Sequence, residues 1–470
     1  MSVGNPSAPV EPTEGGPLKR ELGERHIRLM ALGACIGVGL FLGSAKAIEM
    51  AGPAIMLSYI IGGLAILVIM RALGEMAVHN PVAGSFSRYA QDYLGPLAGF
   101  LTGWNYWFLW LVTCVAEITA VAIYMGIWFP DVPRWIWALM ALGSMGAVNL
   151  IAVKAFGEFE FWFALIKVIA IVCFLIVCTA AVTNVWQFGE VRGISHLTAE
   201  GFMPNGITTV IGALLGVMFA FLGAEIVTIA ASEAKDPAAQ IVKATNSVVW
   251  RVCLFYVGSI FLIVCLVPWN DPHLGVSGYG AYRRTLELLG VPYAELLMNF
   301  VVLTSVSSCL ISGHYTASRM LFSLAQRGDA PSFFKITRAG TGVPVYAIMG
   351  SCAVAVVCAL INFSETLRPK DVLETLMNTT GMIALLVYLV IAFSQLRMRR
   401  KLIAEGKEVR LKMWLFPWLT YLVIAFIVAA LVTMAFMPDY QILVISTGVA
   451  AAIVVAMGVV HQIRSGSKQH

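Results

Sequence analysis

The chain reads as an all-α integral membrane protein of twelve transmembrane helices, two of them broken by glycine five spans apart. Three observations carry that reading. Of its 470 residues, 59% are hydrophobic and 12% charged, and its mean hydropathy is +0.83, which is more apolar than the surface of a soluble chain requires. Apolar runs of the roughly 20 residues that cross a bilayer recur along the whole length. Glycines interrupt the first and the sixth of these runs at mid-depth.

The elements follow in chain order. The opening MSVGNPSAPVEPTEGG is rich in Pro, Gly and Ser and lacks the basic start and apolar core of a signal peptide, so residues 1–25 are expected to be a disordered tail. The spans fall at about 29–51, 53–78, 98–128, 133–153, 158–184, 206–232, 246–269, 291–318, 343–362, 371–396, 414–436 and 441–462. Span 1 carries Gly33, Gly37 and Gly39. Each glycine weakens a helix by about 1 kcal/mol relative to alanine. They suit either an unwound segment or the close packing of a GxxxG motif. Span 2 ends on Arg71 and Glu75, read as a cytoplasmic network. Span 3 holds Trp104, Trp107 and Trp110, read mostly as packing or interface residues, and a deep acid, Glu117. A buried carboxylate must be paired or protonated, so Glu117 is either a structural ion-pair member or part of a pocket or proton path.

Span 5 carries Lys167. Span 6, in MFAFLGAEIVTIAASEAKDP, places Glu225 two positions after Gly223 in mid-membrane. An ionisable residue at that depth is a functional-site candidate by default. Two interrupted helices at matching places in two halves are what an inverted repeat of spans 1–5 and 6–10 produces, and they point to a transporter's binding site. Span 8 carries His314, read as a hydrogen-bonded packing residue rather than a proton carrier.

With the N-terminus inside, 22 of the 31 Lys and Arg residues lie in cytoplasmic stretches and six in outer loops. This bias places both termini in the cytoplasm. The organisation is then a tail (1–25), spans 1–5 (26–184), spans 6–10 (206–397), spans 11–12 (414–462) and a cytoplasmic tail (463–470). The net charge of +5 reflects the same bias rather than nucleic-acid binding. The nine cysteines all fall within spans without a CxxC, and no GxxxxGK[ST] occurs. No metal, cofactor or nucleotide is expected, and no nucleophile–base pair suggests an enzyme. The partners expected are the lipid bilayer and a small zwitterion. A half-helix that starts after a break offers free N–H groups to a carboxylate, and one that ends there offers carbonyls to an ammonium group.

Several long stretches together resemble a known family. They are RHIRLMALGACIGVGLFLGSAKAIEMAGPA, RALGEMAVHNPVAGSFSRYA, GWNYWF, FGEFEFWFALIKVIAI, FLGAEIVTIAASEAKDP and YTASRMLFSLAQRGDAP, with looser similarity through LVYLVIAFSQLRMRRK. The chain is similar to bacterial amino acid permeases of the amino acid–polyamine–organocation superfamily. The first half is most like permeases for histidine, proline and aromatic amino acids, and the second like γ-aminobutyrate permeases. The resemblance implies a LeuT-like fold: a 5+5 inverted-repeat core with discontinuous helices 1 and 6, plus two peripheral helices. It implies alternating access and proton-coupled import of an amino acid through the bacterial inner membrane. By position, Ile36, Gly37, Val38 and Gly39 match the substrate-binding segment of the first helix. Phe219, Ala220, Phe221, Leu222 and Gly223 match that of the sixth, with Phe219 at a lid position. Glu117 matches a residue facing the substrate, Glu225 matches a glutamate linked to proton coupling in relatives, and Lys167 matches a lysine that stands where sodium-coupled relatives hold a sodium ion, so Glu225, Lys167 and Glu117 are the expected proton-coupling residues. The expected function is a proton symporter for a neutral amino acid: histidine, proline, an aromatic or a small one. The alternatives are a γ-aminobutyrate permease, an exchanger, or a non-transporting amino acid sensor.

Overall fold

A chain in hydrocarbon must satisfy its backbone within each segment, and this one does so with helices. The computed structural model describes residues 12–14, 23–33, 36–82, 84–151, 153–199, 201–230, 236–276, 278–339, 341–359 and 369–466. Span 1 is divided into α1 (Glu24–Gly33), α2 (Val38–Phe41) and α3 (Gly43–Ala51). Leu42 keeps right-handed helical dihedrals between α2 and α3 (φ −103°, ψ −45°), so these two continue one another. A 3₁₀ turn at Gly52–Ala54 leads directly into α4 (Ile55–His79). Beyond lie α5 (Ser85–Leu94), α6 (Pro96–Trp128), α7 (Arg134–Leu150) and α8 (Val153–Val182).

Span 6 is likewise divided, into α9 (Ile207–Phe221) and α10 (Ile226–Ala230). Residues 231–235, the end of the predicted sixth span and the three residues after it, lie outside the described residues. The seventh helix starts earlier than predicted, because Asp236 accepts from the Ala239 amide and Pro237 occupies the first turn. It runs as α11 (Pro237–Trp250), a π-helical stretch (Arg251–Gly258) and α12 (Ser259–Leu266). There follow α13 (Ala281–Leu288), α14 (Ala294–Gln326), α15 (Val345–Ala359), α16 (Pro369–Ala404), α17 (Trp418–Phe436) and α18 (Pro438–Gly466).

Each of the twelve predicted runs contains helix. By length and composition, nine stretches among the described residues can cross a membrane. One of these, Val38–His79, takes in parts of two predicted spans. The helices for spans 4 and 9 are shorter, with 17 and 15 residues. The short loop helices α5 and α13 were not read from the sequence. Both carry charged residues and are too short to register as spans. The tail differs from its expected disorder at Pro12–Glu14, which pairs antiparallel with Ile336–Arg338, Thr13 opposite Thr337. Pro12 stands at the first position of that strand, where a missing N–H is tolerated.

Burial separates a core from a periphery. The most apolar windows of α6 and of the α9–α10 pair are 89% buried, against 11% for α18. α6 packs on α14, α16, α5 and α7, so it is the post around which the bundle is built. At the end of α4, Glu75 is buried and receives Arg399 Nη1 at 2.6 Å, Gln395 Nε2 at 2.7 Å and the Met413 amide at 3.2 Å. Arg71 donates to the Lys412 carbonyl at 2.9 Å and lies over the Trp414 ring. The network expected at the end of span 2 therefore ties α4 to α16 and to the segment before α17.

Glu75→Ala strands three donors, two of them buried. A loss on the order of 3 kcal/mol is expected, read as a lower thermal midpoint and yield of detergent-purified protein. An unchanged midpoint would show that the network carries no stability.

Candidate substrate-binding site

The first break is built from small residues and borrowed donors. A Cβ on Gly33 would stand 2.6 Å from Ala164 Cβ, so this glycine lets α1 press against α8. Residues 34 and 35 lie outside the described residues. Gly37 is extended (φ −140°, ψ −151°) and precedes α2. The Ile36 carbonyl, freed by the break, accepts from Lys167 Nζ at 3.1 Å, from Cys309 Sγ at 3.3 Å and from Ser305 Oγ. Lys167 Nζ also lies 3.8 Å from Cys309 Sγ. The lysine of α8 thus holds a span carbonyl. Ile36, expected among the substrate contacts, turns its oxygen to protein donors.

The second break needs its glycine for conformation. Gly223 has φ 101°, a region that residues with a Cβ rarely enter. Its N–H meets the Glu225 carboxylate at 3.2 Å. Glu225 also receives Tyr106 Oη at 3.1 Å and Tyr388 Oη at 3.4 Å. The acid of span 6 therefore closes its own helix break, helped by hydroxyls from α6 and α16. Neither tyrosine was singled out from the sequence, because each lies more than a hundred residues away.

Between the breaks is a cavity of about 10 Å³, room for roughly one water. Of the residues expected there, Gly37, Gly39, Glu117, Phe219 and Leu222 line it. Trp110, Thr113 and Cys309 line it as well. Trp110 is the one of the three tryptophans that reaches the cavity. Trp104 and Trp107 keep to the expected packing role, donating to the Asp329 carbonyl and to Ser351 Oγ. Helical spacing is the signal that could have found Thr113, one turn before Glu117 on the same face. Phe221 turns away, its ring against Tyr59 and Tyr256. Ala220 presents backbone to Gly39: a Cβ there would come 2.8 Å from Ala220 Cα and 2.7 Å from Phe219 Cδ1. Gly39 thus serves close packing of the two broken helices, one of the two roles its spacing allowed. Val38 is buried, and its amide faces the Glu117 carboxylate.

One buried acid was missed. Glu160, seven residues before Lys167 on α8, is 1% exposed and accepts from Ser308 Oγ at 2.7 Å. The i, i+7 spacing to Lys167 puts both on one helix face and was the available clue. His314 lies 3.3 Å by Nε2 from Cys352 Sγ, between α14 and α15 and away from the cavity. Among the described residues, no group of His, Cys, Asp and Glu is arranged to hold a metal, and none of the eight described cysteines is in a disulfide.

Residues 26–467 match the amino acid permease family. The chain belongs to that family. This permease is 48% identical to the "Probable GABA permease" of Pseudomonas aeruginosa over 94% of its own length and 92% of that protein's. It is also 48% identical to the γ-aminobutyric acid permease of Escherichia coli (96% and 94% covered) and 43% identical to the L-asparagine permease of the same organism (90% and 84%). A solved manganese transporter from Eremococcus coleocola superposes with a TM-score of 0.59 at 14% identity, over 96% of this chain and 98% of that one. That similarity is one of fold. The permease is therefore a multi-pass membrane transporter of amino acids with the LeuT-like arrangement, and it is not an enzyme.

The glycines of α2 give a direct test. Ala at Gly39 meets backbone, which cannot yield without parting α2 from α9. Ala at Gly37 meets two side-chain atoms, Cys309 Sγ at 2.6 Å and Glu117 Oε1 at 2.8 Å. Gly39→Ala is expected to weaken amino acid binding to purified, monodisperse protein about tenfold or more, roughly 1.4 kcal/mol. Gly37→Ala should lose less, and adding Cys309→Ala should recover part of it. Undiminished affinity in both single variants would remove α2 from the site.

Proposed function

We propose that this permease is a proton-coupled importer of a small zwitterionic amino acid, with γ-aminobutyrate as the preferred candidate. The observation that carries the reading is the meeting of opposite charges at one small cavity. The N–H groups that open α2 suit a carboxylate, and the buried Glu117, which faces the first of them at Val38, suits an ammonium group. A zwitterion fits both. Trp110 and Phe219 fill the surrounding space, which favours a short, unbranched chain over the aromatic and imidazole side chains also considered. The names of the two relatives at 48% identity support the same choice. L-Asparagine is the nearest competitor, since a relative at 43% carries that name.

Proton rather than sodium coupling is favoured by Lys167. Its ammonium occupies the unwound carbonyl of Ile36, where a metal cation would otherwise find an oxygen ligand. The excess of Lys and Arg in one set of loops supports both termini inside the cytoplasm of a bacterial inner membrane.

In proteoliposomes, labelled γ-aminobutyrate should accumulate under an inward proton gradient, without sodium, and the gradient should be collapsed by a protonophore. Uptake that needs sodium at fixed pH would overturn the coupling. Competition stronger from L-asparagine than from unlabelled γ-aminobutyrate would overturn the substrate.

Glu225 links the break in span 6 to two tyrosines, so its protonation state bears on closure of the site. Glu225→Gln keeps the shape but cannot release a proton. It is expected to lower gradient-driven accumulation about tenfold while binding falls less than about threefold. Normal accumulation by that variant would exclude Glu225 from coupling.

A further inference from the structure

One wall of the cavity between the breaks is a single stripe of side chains. Trp110, Thr113 and Glu117 border it from α6, and their i, i+3, i+7 spacing puts them on one helix face. Trp110 and Glu117 stand two turns apart, about 10 Å along the axis at 1.5 Å per residue. Much of the polar lining is spent within the protein. Thr113 Oγ1 donates to the Leu109 carbonyl at 2.8 Å, and Cys309 Sγ donates to the Ile36 carbonyl at 3.3 Å. Trp110 Nε1 and Glu117 Oε2 are buried and have no hydrogen-bond partner among the described residues. The Tyr106 hydroxyl, which donates to Glu225 at 3.1 Å, faces the indole without the geometry of a bond. The indole nitrogens of Trp137 and Trp269 also lack a partner, but neither residue borders the cavity.

A buried polar group is costly to leave unpaired. An indole N–H can only donate, and an ionised carboxylate can only accept. The stripe therefore offers a donor at one end and an acceptor at the other, with the spent Thr113 between them. Its complement is a molecule with an oxygen at one end, a short carbon chain and an ammonium group at the other. The place of the donor is set from α14. A Cβ on Gly313 would stand 2.7 Å from Trp110 Cε3 and 3.0 Å from Cζ3. The glycine lets the indole lie against that helix, and a methyl there would push it off.

We propose that Trp110 is a specificity-determining residue of this permease. Its indole N–H donates to the substrate oxygen farthest from the ammonium group at Glu117, and Gly313 is the residue that positions its ring. The inference rests on the amino acid site proposed above and narrows its substrate class. That class is an amino acid whose carboxylate or carboxamide oxygen is separated from the ammonium nitrogen by a short carbon chain. In γ-aminobutyrate that oxygen belongs to the carboxylate, and in L-asparagine to the side-chain amide.

The test measures binding to purified, monodisperse wild type, Trp110→Phe and Gly313→Ala, so it does not depend on proton coupling. Against labelled γ-aminobutyrate, unlabelled γ-aminobutyrate is compared with n-butylamine, which has the ammonium group and the chain but no oxygen. Against labelled L-asparagine, the matching pair is L-asparagine and L-alanine. Trp110→Phe keeps a ring and loses the N–H. It should weaken γ-aminobutyrate about tenfold and leave n-butylamine within about twofold of wild type. Gly313→Ala leaves the stripe intact and favours helix. It should weaken γ-aminobutyrate about threefold, again with n-butylamine within about twofold. Unchanged γ-aminobutyrate affinity in Trp110→Phe overturns the proposal. An equal loss for both members of a pair makes Trp110 a packing residue and overturns it too. If Trp110→Phe does not fold, Gly313→Ala decides. Wild type that prefers L-asparagine overturns the γ-aminobutyrate reading alone, and the L-asparagine pair then judges Trp110 by the same criterion. Wild type that binds neither overturns the amino acid site, and the role of Trp110 with it.

Discussion

Backbone polar groups left open inside hydrocarbon are the constraint on which this molecule turns. A continuous helix meets it internally, and this chain declines to do so at two places. Each break then has to be closed by groups from elsewhere. At the first, the Ile36 carbonyl draws Lys167 from α8 and Ser305 and Cys309 from α14. At the second, the Gly223 amide takes the Glu225 carboxylate, which is steadied by Tyr106 of α6 and Tyr388 of α16. The helices that supply these donors are also among those that pack closely in the core, so satisfying the backbone and assembling the bundle are one requirement.

What the sequence made legible follows from locality. Apolar runs, glycine spacing and the acid beside Gly223 are each visible within about twenty residues, and they led to the membrane class, both breaks and Glu225. The partners of the breaks are not local. Tyr106 lies 119 residues from Glu225 and Cys309 lies 273 from Ile36, and no period connects them. Glu160 was legible in principle through its i, i+7 spacing to Lys167. The strand at Pro12–Glu14 escaped for another reason: its pairing is with a loop, and its composition is that of a disordered tail.

The buried acids divide their work by what surrounds them. Glu75 has its donors in hand and fastens helices. Glu225 is bonded through both oxygens and fastens a turn. Glu117 and Glu160 each keep one oxygen without a hydrogen-bond partner among the described residues. Burial alone does not sort these four carboxylates. The count of their donors does.

Gly39 and Ala220 touch so closely that no Cβ fits between α2 and α9. Two broken helices joined this way cannot slide or hinge independently across the cavity. A displacement of α2 would therefore drag the end of α9 with it, and the two breaks that line the cavity keep their spacing only as long as that backbone contact holds.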